Sequence, residues 1–171
     1  MCEHRKILFS PDKLKYAQGD RPQVDCILCA ALDGTDGVDQ LIVHENDNFF
    51  VTLNLFPYNP GHLMIAPKRH VESIEELNDE EVLGCHHLQL LCIKVLRLMY
   101  NPQGFNLGYN MGQFSGASIS HLHFHVVPRY SSEVGFMDVI NGARIIVEAP
   151  TVTKERMREN FVLLVRQESD S

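Results

Sequence analysis

The chain has 171 residues, 44% apolar and 22% charged, the balance of a single globular domain long enough to bury a core. Fifteen Lys and Arg against 22 Asp and Glu leave a net charge of −7. That excess argues against broad electrostatic capture of nucleic acid, so an anionic ligand needs a local pocket of donors. The opening "MCEHRKILFSP" carries charges and Pro11 where an export signal needs an apolar run, and five cysteines form an odd set, so reduced thiols and a cytoplasmic placement are expected. Gly84, His86, His87, Gln89, Lys94 and Arg97 interrupt the apolar stretch 82–100, so no membrane span is expected.

The elements follow in chain order. Residues 1–23 read as an irregular, charged arm. "VDCILCAALDGTDGVDQ" (24–40) opens on a Cys-x-x-Cys and closes in a Gly/Asp loop. "LIVHEN" (41–46), "NFFVTLN" (48–54) and "HLMIAP" (62–67) read as three short strands, separated by Asp47 and by the turn "LFPYNPG". Ser73 with Glu76, and Asn78 with Glu81, have capping-box spacing. The second pair opens a helix to about Tyr100, with Leu88, Leu91, Val95 and Leu98 at helical spacing and Asn101-Pro102 as the stop. A strand near 104–110, a Gly/Ser loop at 112–118 and the segment "HLHFHVVPRY" (121–130) come next. "ARIIVEAP" suggests an extended piece, and 153–168 a terminal helix. The expected class is α+β, with an antiparallel meander sheet of about five strands, one long helix and a C-terminal helix. All 171 residues are expected to form one domain, with a core at 24–140 and a C-terminal extension at 141–171.

On a strand, His121, His123 and His125 share one face, while Leu122, Phe124 and Val126 point into the core. Neighbouring histidines then lie ~6.6 Å apart and the outer two ~13 Å apart. A zinc ion needs each nitrogen at about 2.0–2.1 Å, so three imidazoles on a regular strand do not converge on one ion. The row suits separate jobs.

The segment His-apolar-His-apolar-His-apolar-apolar resembles the signature of the histidine triad (HIT) nucleotide hydrolases and transferases. "NPGHLMIAPKRHVESIEEL" and "GFNLGYNMGQFSGASISHLHFHVVPR" extend the resemblance over about residues 24–140. It implies that His123 attacks the α-phosphate of an adenosine nucleotide and carries a covalent nucleotidyl group. A neutral imidazole is a competent nucleophile when one nitrogen is free and the other is held by an acceptor. By the same resemblance, His125 assists the leaving group. Asn110 and Ser118 lie where phosphate and leaving-group contacts fall, and Asn54 where a ribose hydroxyl is held; backbone N–H groups of the Gly112–Gly116 loop offer further donors to an anion. Without the resemblance, Asn54 reads equally well as a strand-end turn residue.

Cys26 and Cys29 have the spacing with which two thiolates grip one zinc ion, although a Cys-x-x-Cys also serves redox chemistry. Resemblance to a zinc-bearing branch completes the set with His70 and His121, giving a closed structural zinc site. Cys85 and Cys92 read as helix thiols, His86 and His87 as helix-surface residues, and His44 and His62 as strand residues. Cys2 and His4 are uninformative.

"NPQGFNLGYNMG…SGASISHLHFHVVPRY" is most similar to the branch containing diadenosine tetraphosphate phosphorylases. Ser131-Ser132-Glu133 stands where that branch often has Gly-Asp, which leaves open whether the acceptor is phosphate or water. The expected ligands are adenosine mono- or dinucleotides, and the expected assembly is a homodimer. An adenosine phosphoramidase is the alternative enzyme. A nucleotide-sensing protein without catalysis is the alternative of another class, disfavoured by the intact His123.

Overall fold

A computed structural model of the chain describes residues 22–112, 114–131 and 150–169. It contains helices α1 (Ile27–Leu32), α2 (Asp79–Tyr100) and α3 (Pro150–Ser169). The strands are β1 (Ile42–Glu45), β2 (Phe49–Leu53), β3 (Leu63–Pro67), β4 (Gly104–Tyr109) and β5 (Phe124–Arg129). All adjacent strands are antiparallel, in the order β1-β2-β3-β5-β4. The first three strands run as a meander. After α2, β4 takes the far edge and β5 returns between β3 and β4. The expected α+β architecture is therefore present. The arm at 1–23 lies outside the described residues except for its last two positions. The extended piece at 143–150 also lies outside them, up to Pro150. That proline opens α3 three residues earlier than expected; its fixed φ and missing N–H suit a first helical position.

Periodicity and capping set α2. Asn78 accepts from the Glu81 backbone N–H while Glu81 reaches back to the Asn78 N–H, and Asn101 closes the helix in the left-handed region at φ 47°. Cys85, Leu88, Leu91, Cys92, Val95 and Leu96 form its buried stripe. Leu98, expected on that stripe, is exposed, because at 3.6 residues per turn the buried face passes through Leu96 instead. By length and composition α2 is apolar enough to cross a bilayer, so the polar interruptions in its sequence are a weaker argument than expected. In the fold its buried stripe packs on the sheet as a core helix.

The larger core lies between one sheet face and the helices α2 and α3. It joins Phe49, Val51, Leu63 and Ile65 of β2 and β3 to Leu122, Phe124 and Val126 and to Met157 and Phe161 of α3. The opposite face buries a smaller group, Phe50, Met64 and Ala66 with Leu28 of α1. His125 pairs with Met64 and so belongs to this second face. His125 thus stands across the sheet from the long helix, on the face that the short one covers.

Candidate functional site

The triad segment is less regular than a strand over 121–130. Pairing between β3 and β5 runs from Leu63↔Val126 to Ile65↔Phe124, and β5 begins only at Phe124. Before it the chain bends away, with the Leu122 N–H donating to the Val71 carbonyl at 2.7 Å. His121 fills the gap: its Nε2 donates to the carbonyl of Pro67 at 3.0 Å. The inside/outside alternation survives the bend, since Leu122, Phe124 and Val126 all enter the main core.

His123 is buried, and its Nδ1 lies 2.8 Å from the backbone carbonyl of His121. A carbonyl only accepts, so Nδ1 carries the proton and Nε2 keeps its lone pair. The His125 ring stands edge-on to it, with centroids 4.8 Å apart.

His125 is held by a residue that reads from the sequence only as part of a strand. His62 is fully buried just before β3, and its Nε2 lies 2.9 Å from His125 Nδ1. The Tyr58 N–H donates to His62 Nδ1 at 3.1 Å, and the Asn54 amide lies 3.3 Å from the same atom. Nδ1 therefore accepts, Nε2 bears the proton, and that proton goes to His125 Nδ1. The proton of neutral His125 then sits on Nε2. Burial first, and then the nearby His125 and His123, push His62 down to about 3. Burial, and then His123, lower His125 to about 4. Both rings are neutral near pH 7, so the order of donors and acceptors is fixed. The usable signal was "PGH". Gly61 takes φ 81°, and a Cβ there would lie 2.9 Å from Leu96, so only glycine makes the turn that aims His62 inward.

Of the other expected contacts, Asn54 and Asn110 lie beside this pair. Asn110 follows β4 and, with His125, borders an open groove of 380 Å³. Gly112 and Gly116 both have positive φ, and the Ser115 hydroxyl donates to the Gly112 carbonyl, shaping the exposed loop that leads to Ser118. Asn54 also accepts from the Phe56 N–H at 2.9 Å, so its amide serves the turn and His62 together.

The second expected cluster also assembles. Cys26 caps α1, its sulfur 3.5 Å from the Cys29 N–H, which brings the two thiols to one end of the helix. One ligand atom from each of Cys26, Cys29, His70 and His121 can be chosen so that all four lie within 4.8 Å of one another. The sulfur–Nδ1 distances are 3.4 Å for Cys29–His70 and 3.5 Å from either cysteine to His121. Tetrahedral zinc with ordinary Zn–S and Zn–N bonds separates S from N by about 3.6 Å. The set therefore fits the ion. Both imidazoles present Nδ1, and their Nε2 atoms face oxygens: Pro67 O for His121 and Glu72 Oε1 at 3.7 Å for His70. Burial, followed by the hydrogen bond and charge of Cys26 and then Asp33, pushes the Cys29 thiol up to about 11, so a pair of thiolates here needs a cation. Arg69 ties this corner to α2 by a two-pronged ion pair with Glu81, at 2.6 and 2.7 Å.

Elsewhere the histidines and thiols fall as expected. His86 and His87 are exposed on α2, Cys85 and Cys92 are buried on its core side, and His44 stacks on Phe161 at 5.1 Å.

Residues 36–132 match the HIT domain family. The chain belongs to that family. The AP-4-A phosphorylase of Mycobacterium tuberculosis is 40% identical over 107 residues, covering 62% of this chain and 55% of the relative. This HIT chain thus spans only about half the length of that relative. An adenosine 5'-monophosphoramidase of Schizosaccharomyces pombe is 28% identical over 112 residues, 66% of this chain and 80% of that one. Among solved structures, a Zn-bound histidine triad family protein from Mycobacterium smegmatis shares the fold, with a TM-score of 0.68 and 23% identity. The alignment covers 84% of this HIT chain and 97% of that structure.

Proposed function

We propose that the chain is an adenylyl hydrolase or transferase that cleaves adenosine dinucleoside polyphosphates, such as diadenosine tetraphosphate, at the α-phosphate. The observation that carries this reading is the tautomer pattern: a lone pair on His123 Nε2 beside a proton on His125 Nε2. His123 Nε2 attacks the α-phosphorus, and a P–N bond forms as the bond to the bridging oxygen breaks. The leaving phosphate chain takes the electron pair, while neutral His125 keeps its Nε2 proton and donates it as a hydrogen bond to the departing oxygen, an alignment that His62 holds through the short contact to Nδ1. Phosphate, or water that releases its proton to solvent, then attacks the adenylyl group; a P–O bond forms as the P–N bond breaks, and the electron pair returns to His123. Asn110, Ser118 and the Gly116 loop would donate to the phosphate, and Asn54 would hold the ribose.

In this reading Cys26, Cys29, His70 and His121 hold zinc, which supplies folding energy and leaves no open position for a substrate. The protein acts as a homodimer, which would cover the exposed outer edge of β4. The relatives' names support nucleotide chemistry at this site and leave two leaving groups in play, a phosphate chain and an amine. The test is incubation with diadenosine tetraphosphate or adenosine 5'-monophosphoramidate, with and without phosphate, followed by product analysis and acid quench. An acid-labile adenylyl group on His123 is the expected result. Turnover by the His123→Ala protein at the wild-type rate would overturn the reading.

A further inference from the structure

We infer that the groove running from His125 to Arg129 receives the departing half of the substrate, and that Arg129, set by Asn106, selects leaving groups carrying several phosphates. This rests on the adenylyl-transfer reading above and concerns which substrate it favours. His125, Val127 and Arg129 are alternate residues of β5 and share its functional face. Across the ladder, Gly108 pairs with His125 and Asn106 with Val127, so β4 supplies the groove's other wall. A Cβ built on Gly108 meets nothing within 4 Å, so the space opposite His125 is open. The groove's 380 Å³ is within the usual size of a small-molecule site.

Its chemistry runs against that of the whole chain. The net charge is −7, yet among the described residues the groove lining holds no carboxylate and one guanidinium. Arg129 Nη1 donates to Asn106 Oδ1 at 2.7 Å, which orients the fork along the sheet. A planar guanidinium fixed in this way matches phosphate oxygens, and such charge-assisted bonds are the strong ones. On the opposite side Tyr58 stands over His62 and His125, and Asn59 clamps its turn to β5 by donating to the Pro128 carbonyl at 2.6 Å. Along the strand His125 and Arg129 are ~13 Å apart. A chain of phosphates leaving from the α-position reaches toward that charge. An amine, lost at His125 itself, does not.

Equilibrium binding tests this in a His123→Ala background, where no turnover consumes the ligand. Diadenosine tetraphosphate and AMP are titrated against that protein and against the same protein carrying Arg129→Ala, Arg129→Lys or Asn106→Ala. Arg129→Ala is expected to weaken diadenosine tetraphosphate about ten- to a hundredfold relative to AMP, as the loss of a charge-assisted contact implies. Arg129→Lys should recover part of the loss, Asn106→Ala should show a smaller one, and added salt should erode the wild-type preference. AMP binding reports that each variant is folded. An unchanged ratio of the two affinities in Arg129→Ala, or equal weakening of both ligands, overturns the proposal. Failure of the adenylyl-transfer reading shows separately, as tight binding to the wild-type protein without any adenylyl-His123.

Discussion

His121 and His123 are two residues apart in one segment, yet they belong to different chemical neighbourhoods. His121 gives Nε2 to the Pro67 carbonyl and turns Nδ1 toward two sulfurs, whereas His123 gives Nδ1 to the His121 carbonyl and keeps Nε2 open. Each backbone acceptor selects which nitrogen remains available, so the same side chain presents Nδ1 in one place and Nε2 in the other, as the proposed roles of metal ligand and nucleophile require. The two neighbourhoods are also joined, because the residue that would sit on the metal supplies the carbonyl that orients His123. Support for the metal corner comes from outside the strand, through α1 and the segment after β3. Support for the reacting pair comes through the turn before β3.

Removing His123 should separate the two ends most sharply. His123→Ala is expected to lose three or more powers of ten in turnover while its melting temperature stays near wild type, measured by product formation and thermal unfolding on one preparation. Comparable losses of activity and stability would show that the two ends do not work separately.

Damage at the metal corner should do the reverse. Freshly purified protein should contain one zinc per chain by elemental analysis. Cys26→Ser or chelation should lower the melting temperature by about 10 °C or more, with a smaller effect on the adenylation step in protein that remains folded. Metal-free protein of unchanged stability would remove the structural role.

A subtler break lies at His62. His62→Phe preserves burial but removes the donor to His125 Nδ1, so kcat should fall roughly ten- to a hundredfold with KM little changed. His62→Gln, which can still donate, should recover part of the loss. A fall in KM and kcat together, or no rescue by glutamine, would make His62 a packing residue only.

The smallest effect concerns the Arg69–Glu81 pair that braces the metal corner. Arg69 first, through its hydrogen bonds, holds Glu81 down at about 2, below the ordinary carboxylate value near 4.3. Because the folded value is the lower one, the unfolded chain binds more protons between those pH values. The stabilisation is therefore complete above about pH 4.3 and is lost as the pH falls toward 2. Glu81→Gln should cost about 2–4 °C in melting temperature at pH 7, the difference from wild type shrinking through that acid window. A difference that persists unchanged at low pH would point to packing in place of charge.

Much of this was legible in the chain, for reasons that are local. Alternation of Leu122, Phe124 and Val126 with the histidines assigns faces whether or not the backbone is a regular strand, since side chains on neighbouring residues point apart. Asn78 with Glu81, and Asn101-Pro102, bound α2 because capping needs only residues within one turn. Cys26 and Cys29 come together because both sit on the first turn of one short helix. The motif "HLHFHVV" carried the family, and with it His70 and His121, which no spacing rule alone would have joined across half the chain.

What only the tertiary structure decided depends on residues far apart in sequence. His62 reads as an ordinary strand residue until the β3–β5 pairing places it against His125, 63 positions later. Its tautomer then depends on a backbone N–H from Tyr58, which composition and periodicity do not register. Leu98 shares the helical spacing of Leu91 and Val95 yet is exposed, because the sheet beneath α2 meets the face that includes Leu96. Arg129 and Asn106 become partners only through the β4–β5 register, and with them the groove beside His125 gains its charge. A side chain's type and its place in a local pattern are written in the sequence. Which nitrogen carries a proton, and which charge faces an open groove, are set by neighbours that folding brings in from elsewhere in the chain.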